Sequence, residues 1–110
     1  MRIRAGNFED ICTMVHIFEE VDNTLHSQLI RVIETNNPKI VLNMEFMKSW
    51  TSSTPSAILK IQDACLEKGG DLIVANAPSN LQDEIRQIDK LGKLKFANSL
   101  GQAEKYFRNR

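Results

Sequence analysis

Long apolar runs are the plainest absence from this sequence. Nowhere in its 110 residues is there a stretch approaching the ~18 apolar residues that a membrane-spanning helix needs, so direct membrane insertion is not expected. Cysteine is scarce. Cys12 and Cys65 form no C-x-x-C pair, and each lies within an apolar pattern that reads as core packing. His16 and His26 stand alone and complete no ligand set, so neither a metal nor a cofactor is expected. An excess of one charge sign is also missing, because fourteen basic side chains cancel fourteen acidic ones. The chain therefore exerts no global attraction on nucleic acid or on an anionic membrane, and nucleic acid is not expected as a partner. Glycine-rich phosphate loops are absent, as is a Gly-x-Ser-x-Gly elbow, and no histidine is predicted to lie near a serine of the carboxyl edge of the strands. Catalysis is not the expected function. Met1 to Gly6 contain no apolar signal-peptide core, so a cytoplasmic location is expected.

What is present describes an ordinary globular chain. With 42% hydrophobic and 25% charged residues it can bury a core without disulfide staples, as one domain spanning residues 1–110. Residues 2–6 suggest a short edge strand, Asn7 to Asp10 a turn, and Ile11 to Phe18 a strand apolar on both faces. Asp22, Asn23 or Thr24 can cap a helix whose Leu25, Leu29, Val32 and Ile33 make one buried stripe. Asn36-Asn37-Pro38 stops that helix. Lys39 to Met44 reads as a buried strand, and Ala57 to Leu66 as a helix with Ile58, Ile61, Ala64 and Cys65 inward, closed by Gly69-Gly70. A strand from Asp71 to Ala77 follows, then a helix opened by the capping box Ser79 to Gln82 and striped by Leu81, Ile85 and Ile88. Lys93 to Ala97 gives a last strand. A second capping box, Ser99 to Gln102, opens a terminal helix with Ala103, Tyr106 and Phe107 inward. Strands alternating with helices in this way predict an α/β domain with a mixed, mostly parallel five-stranded sheet and about four helices.

Between the Lys39–Met44 strand and the following helix lies a hydroxyl cluster, Ser49-Trp50-Thr51-Ser52-Ser53-Thr54-Pro55-Ser56. Hydroxyls at a helix N-terminus meet free N–H groups and the positive end of the dipole. The plain expectation is a cap from Ser52, Ser53 or Thr54, with Pro55 in the first turn. In parallel sheets functional groups gather at the carboxyl ends of the strands. That edge should collect Asp22, the Ser52–Thr54 cluster and Asn76 to Ser79. Trp50 reads either as a core residue beneath the helix or as an exposed anchor for a partner.

The string from Ile40 to Leu59, with Lys68 to Asn76 and Ser99 to Ala103 after it, resembles a STAS domain, the fold of bacterial anti-sigma-factor antagonists. The resemblance covers roughly residues 10–108. Glu19-Glu20-Val21-Asp22 stands where that family has a Gly-Glu-x-Asp run, and Thr51-Ser52-Ser53-Thr54 where it has Asp-Ser-Ser-Gly. The resemblance implies that Ser52 is the serine phosphorylated by a partner kinase, with Thr51 and Ser53 as further acceptor candidates. It also implies a partner-binding face comprising Asp22, Trp50, Thr51, Ser52, Ser53 and Thr54. The implied partner is a serine kinase that acts as an anti-sigma factor, or another signalling protein. Two family acids are replaced here, one by Thr51 and one by Asn43. Those replacements favour an alternative, a non-phosphorylated accessory subunit of a transporter or of a multi-protein signalling complex.

Overall fold

The computed structural model describes residues 1–109. The order of elements is β1 (Arg2–Phe8), β2 (Cys12–Glu20), α1 (Leu25–Thr35), β3 (Lys39–Ser49), α2 (Thr54–Glu67), β4 (Asp71–Ala75), α3 (Ser79–Ile88), β5 (Lys95–Ala97) and α4 (Leu100–Arg108). The sheet runs β1-β2-β3-β4-β5, with β1 antiparallel to β2 and every other pair parallel. The expected α/β architecture, a mixed and mostly parallel five-stranded sheet with four helices, is the one observed.

Alternation along the strands divides the apolar residues between two faces. One face, from Val15 and Ile17 through Leu42 and Met44 to Leu72 and Val74, packs against Leu25 and Leu29 of α1, Ile58 and Ile61 of α2, and Leu81 and Ile85 of α3. The other is smaller: Cys12, Met14, Val41, Ile73, Ala75 and Ala97 meet Ala103 and Phe107 of α4. Both cysteines are buried and unpaired. Three members of the expected helical stripes escape the core. Ile88 is exposed at the end of α3, and Ala64 and Tyr106 are only half-buried.

Element boundaries depart from the sequence pattern where pairing overrides it. β1 runs on to Phe8 because its ladder with β2 extends to the Phe8–Cys12 pair, and Glu9 and Asp10 make the turn at φ of 50° and 59°. β2 correspondingly spans Cys12–Glu20 rather than ending at Phe18. β3 continues five residues beyond Met44, through polar residues that alternation alone would leave as loop. It is held there by pairing with the end of β2 and interrupted by two irregularities, where the register steps from His16–Asn43 to Phe18–Phe46 and from Glu19–Met47 to Glu20–Ser49. β3 carries one more residue than β2 over each step, which is a bulge. β4 stops at Ala75, two residues short of Ala77, and β5 starts at Lys95 rather than Lys93. The box expected at Ser79 does not form: Pro78 occupies the N-cap, and the Gln82 amide donates instead to the Ala77 carbonyl, 2.9 Å. At α4 the Ser99 hydroxyl does accept from the Gln102 N–H, 3.1 Å.

A buried polar ladder crosses the sheet on the α4 side. Asn43, fully buried, accepts at Oδ1 from the Glu45 N–H (3.2 Å) and from Asn76 Nδ2 (2.9 Å). With both donors on that oxygen, its own Nδ2 donates to His16 Nδ1 at 3.0 Å. His16 is thus a hydrogen-bonded sheet histidine, and His26 lies exposed on α1.

Candidate functional site

The carboxyl ends of β2, β3 and β4 bring three connections to one edge of the sheet: residues 21–24, residues 50–53 and residues 76–78. The first two are tied together. The Val21 N–H donates to the Ser49 carbonyl at 3.0 Å, and the Ser53 hydroxyl reaches Asn23 Oδ1 at 3.5 Å. Asn76 holds the third connection at φ of 60°, with its N–H on the Ala97 carbonyl at 3.0 Å.

Asp22 opens α1 without being its cap. Its Oδ1 accepts from the Thr24 hydroxyl at 2.6 Å and from the Thr24 N–H at 2.8 Å, while Oδ2 lies 3.2 Å from the amino group of Met1. Thr24 occupies the N-cap without a side-chain cap bond. The hydroxyl, then the backbone N–H, then the amino group hold the Asp22 carboxyl down at about 2. It remains an exposed, permanently ionised acid beside the hydroxyl loop.

Four hydroxyls of the β3–α2 loop have different employment. Thr54 is 1% exposed, and its hydroxyl accepts from the Thr51 N–H at 3.0 Å, closing the turn from within. Thr51, half-buried, places its hydroxyl 2.9 Å from that of Ser53 and 3.3 Å from that of Thr54. Ser53 occupies the N-cap of α2 yet makes no cap bond, because its hydroxyl faces Thr51 and Asn23. Pro55 sits in the first turn as expected. Ser52 alone among the four is exposed with no hydrogen bond on its hydroxyl among the described residues. The first turn of α2 therefore keeps its positive end free of a side-chain cap, next to an unengaged hydroxyl.

Trp50 is neither fully buried nor fully exposed. Its ring is half-buried against the main core, and its indole N–H crosses to Glu84 Oε2 of α3 at 3.2 Å. This bond spans 34 residues of chain, and no local sequence signal announces it. Asn23, read from sequence only as a possible helix cap, instead meets the Ser53 hydroxyl, a contact that no sequence signal announces. Asn43 does not join the edge at all, being buried in the ladder with His16 and Asn76. Among the described residues no group of three or more His, Cys, Asp or Glu is placed to hold a metal ion. Nor is any helix among them long and apolar enough to cross a membrane.

The STAS domain family model matches residues 8–103. The chain belongs to the STAS family. Among solved structures, the anti-sigma factor antagonist SpoIIAA in its unphosphorylated form is similar over 99% of this chain and 100% of that one, at 17% identity and a TM-score of 0.71. A putative anti-sigma factor antagonist from Thermotoga maritima is similar over 96% and 94%, at 14% identity and a TM-score of 0.79. A murine anion transporter of the solute carrier 26 family is similar over 90% of this chain but only 18% of its own, at 11% identity and a TM-score of 0.71. At these identities the likeness is one of fold. No curated protein sequence matches the chain significantly.

Proposed function

We propose that this STAS domain is a regulatory protein-binding module, docking a signalling partner through the edge that carries Asp22, Trp50 and Thr51 to Ser53, with Ser52 as the phosphorylated residue that releases it. One observation carries the reading. In a loop whose other hydroxyls close the turn, the Ser52 hydroxyl is exposed and unengaged, at the uncapped end of α2. Unmodified, the hydroxyl loop itself carries no charge, and Asp22 beside it is paired with the Met1 amino group. A phosphate would bring about −1.5 to −2 charges near pH 7, next to a carboxylate that stays ionised. Repulsion and the cost of desolvating two anions together would expel an acidic or tightly packed partner. The helix end tolerates the phosphate, so the fold itself need not change. The antagonist SpoIIAA has been solved in phosphorylated and unphosphorylated forms, with TM-scores of 0.69 and 0.71 to this chain. That pair supports a switch carried on an unchanged fold. The partner this reading implies is a serine kinase acting as an anti-sigma factor, or a comparable signalling protein.

A specific observation favours a second reading. Thr51 stands where the family motif has an acid, and its hydroxyl is engaged by Ser53 and Thr54, so a kinase that reads that acid finds none. On this reading the same edge docks constitutively, in a complex such as that of the transporter-borne STAS domain. Photo-cross-linking separates the two. A cross-linker in place of Asn23 should trap a partner in host lysate, one in place of Lys105 on α4 should not, and Ser52→Glu should abolish the adduct. An adduct undiminished by Ser52→Glu supports the constitutive subunit, and one formed only from position 105 rejects the edge altogether.

A further inference from the structure

The face of the sheet that carries α4 is only partly covered. α4 packs on β3, β4 and β5 and over Cys12 and Met14 at the start of β2, and the cover thins toward Arg2 and Arg4 of β1, Phe18 of β2 and Phe46 of β3. On this open surface Arg2 pairs with Phe18 and Arg4 with His16, so both guanidinium groups stand two residues apart on one side of edge strand β1. The Arg2 guanidinium lies 4.5 Å from the centre of the Phe18 ring, and Phe18 stacks on Phe46 at 5.5 Å with 8° between the planes. Neither arginine makes an ion pair among the described residues. Arg2, Ile3, Arg4 and Phe18 line a recess of about 430 Å³.

Phe46 is 48% exposed, and the first bulge in β3 puts it there. Without the extra residue, period-two alternation from Leu42 and Met44 would send Phe46 into the main core. With it, Met47 takes the buried position and Phe46 turns outward. We propose that this arginine–phenylalanine face of β1, β2 and β3 is a second docking surface, taking an extended acidic segment of a partner protein. The segment would add to the free edge of β1 and place alternate carboxylates on Arg2 and Arg4, and beyond Arg2 its end would turn across β2 to lay an apolar side chain on Phe46.

Charge and geometry select this occupant. An edge strand offers unpaired backbone groups to another extended chain, and alternating carboxylates match two guanidinium groups spaced by one pleat. Single-stranded nucleic acid fits less well. Phe18 is covered by Arg2 and Phe46, the unpaired cations are two, and the net charge of the chain is zero. A second copy paired along β1 would set four guanidinium groups on one continuous face. The surface borders the Asp22 edge through Met1 but shares no residue with the Ser52 loop, and the proposal stands whether or not Ser52 is phosphorylated.

The test is fluorescence anisotropy on the full chain. The probe is a labelled eight-residue peptide alternating glutamate with valine and ending in phenylalanine, and its control carries lysine for glutamate. The glutamate peptide should bind at least about tenfold tighter than the control, and Arg2→Glu with Arg4→Glu should remove at least about tenfold. Phe46→Ser should weaken binding about threefold or more, and Ser52→Glu should leave it unchanged. These exposed substitutions should also leave the thermal midpoint in place, which separates lost binding from lost fold. Equal binding of the two peptides, or full binding by the double arginine variant, overturns the proposal. So does a concentration-dependent dimer that the double variant dissolves. Uptake of oligodeoxythymidylate or phosphatidylserine vesicles, with no binding of the peptide, overturns it too.

Discussion

Gly70 is where α2 returns to the sheet, and substituting it tests how tightly that return is built. The helix closes with the Lys68 and Gly70 N–H groups on the Cys65 carbonyl, at 3.1 and 2.9 Å, and with Gly69 at φ of 82°. This turn brings Gly70 against the start of β3. A Cβ on Gly70 would lie 2.1 Å from the Pro38 carbonyl oxygen, 2.3 Å from its carbon and 2.9 Å from the Lys39 nitrogen. All three are backbone atoms, so no rotamer change relieves the clash. One strand start must move by about 1 Å, against dense packing on both sides. That movement opens the Asp71 N–H bond to the Pro38 carbonyl, 3.3 Å, at the head of the β3–β4 ladder. Overpacking costs about 1–3 kcal/mol and a lost hydrogen bond about 1, so Gly70→Ala should destabilise by about 2–4 kcal/mol. At about 4 °C per kcal/mol for a chain of this length, the thermal midpoint should fall by about 8–16 °C. Gly69→Ala is the control. Nothing lies within 4 Å of its Cβ, so the cost is only the positive φ, about 1–2 kcal/mol. Urea unfolding followed by far-ultraviolet circular dichroism measures both. A Gly70→Ala variant within about 0.5 kcal/mol of wild type, or less damaged than Gly69→Ala, would refute the argument.

Asp22 should shape acid stability. Its carboxyl is depressed to about 2 from 3.8, so its stabilising contribution is complete above about pH 4 and is lost as pH falls through 2. Urea midpoints of wild type and Asp22→Ala should differ by a constant amount from pH 5 to 7 and converge toward pH 2; a gap that persists at pH 2 would contradict this. Burial raises both thiols, Cys65 to about 12 and with a further contribution from the Asp71 charge, so the folded chain keeps the Cys65 proton after the unfolded chain has released its own. Stability linked to Cys65 is therefore full below pH 9 and declines above it. Neither thiol should react with a disulfide reagent at pH 8 until urea unfolds the chain, and rapid labelling of native protein would show that burial to be wrong.

Regular elements were legible where period and punctuation agreed. The stripe Leu25, Leu29, Val32 and Ile33 is buried as read, and Gly69-Gly70 does end α2. Boundaries were lost where tertiary pairing overrode local pattern. The polar residues Glu45, Lys48 and Ser49 lie in β3 because β2 pairs alongside them, and no alternation rule reveals that from one strand. The first bulge hid the open face for the same reason: one inserted residue reverses the parity of Phe46, and parity is what sequence reading relies on. At the loop edge, composition pointed to hydroxyls at a helix start. It carried no information on which hydroxyl closes the turn and which is left over. That division depends on Asn23 and on the direction in which Thr51, Ser53 and Thr54 point. Two acids missing from the family motif looked equivalent in sequence. Their replacements are not: Thr51 lies in the loop, whereas Asn43 is buried in a ladder, accepting from the Glu45 N–H and Asn76 and donating to His16.

Intact mass spectrometry is the most direct test of the switch at Ser52. Wild type and Ser52→Ala would be incubated in parallel with host lysate and ATP. The account predicts a single added phosphate on wild type and none on Ser52→Ala, because Ser52 alone offers an exposed, unengaged hydroxyl in the loop. A phosphate that persists on Ser52→Ala, or no phosphate on either protein in lysate that phosphorylates a control substrate, would contradict it.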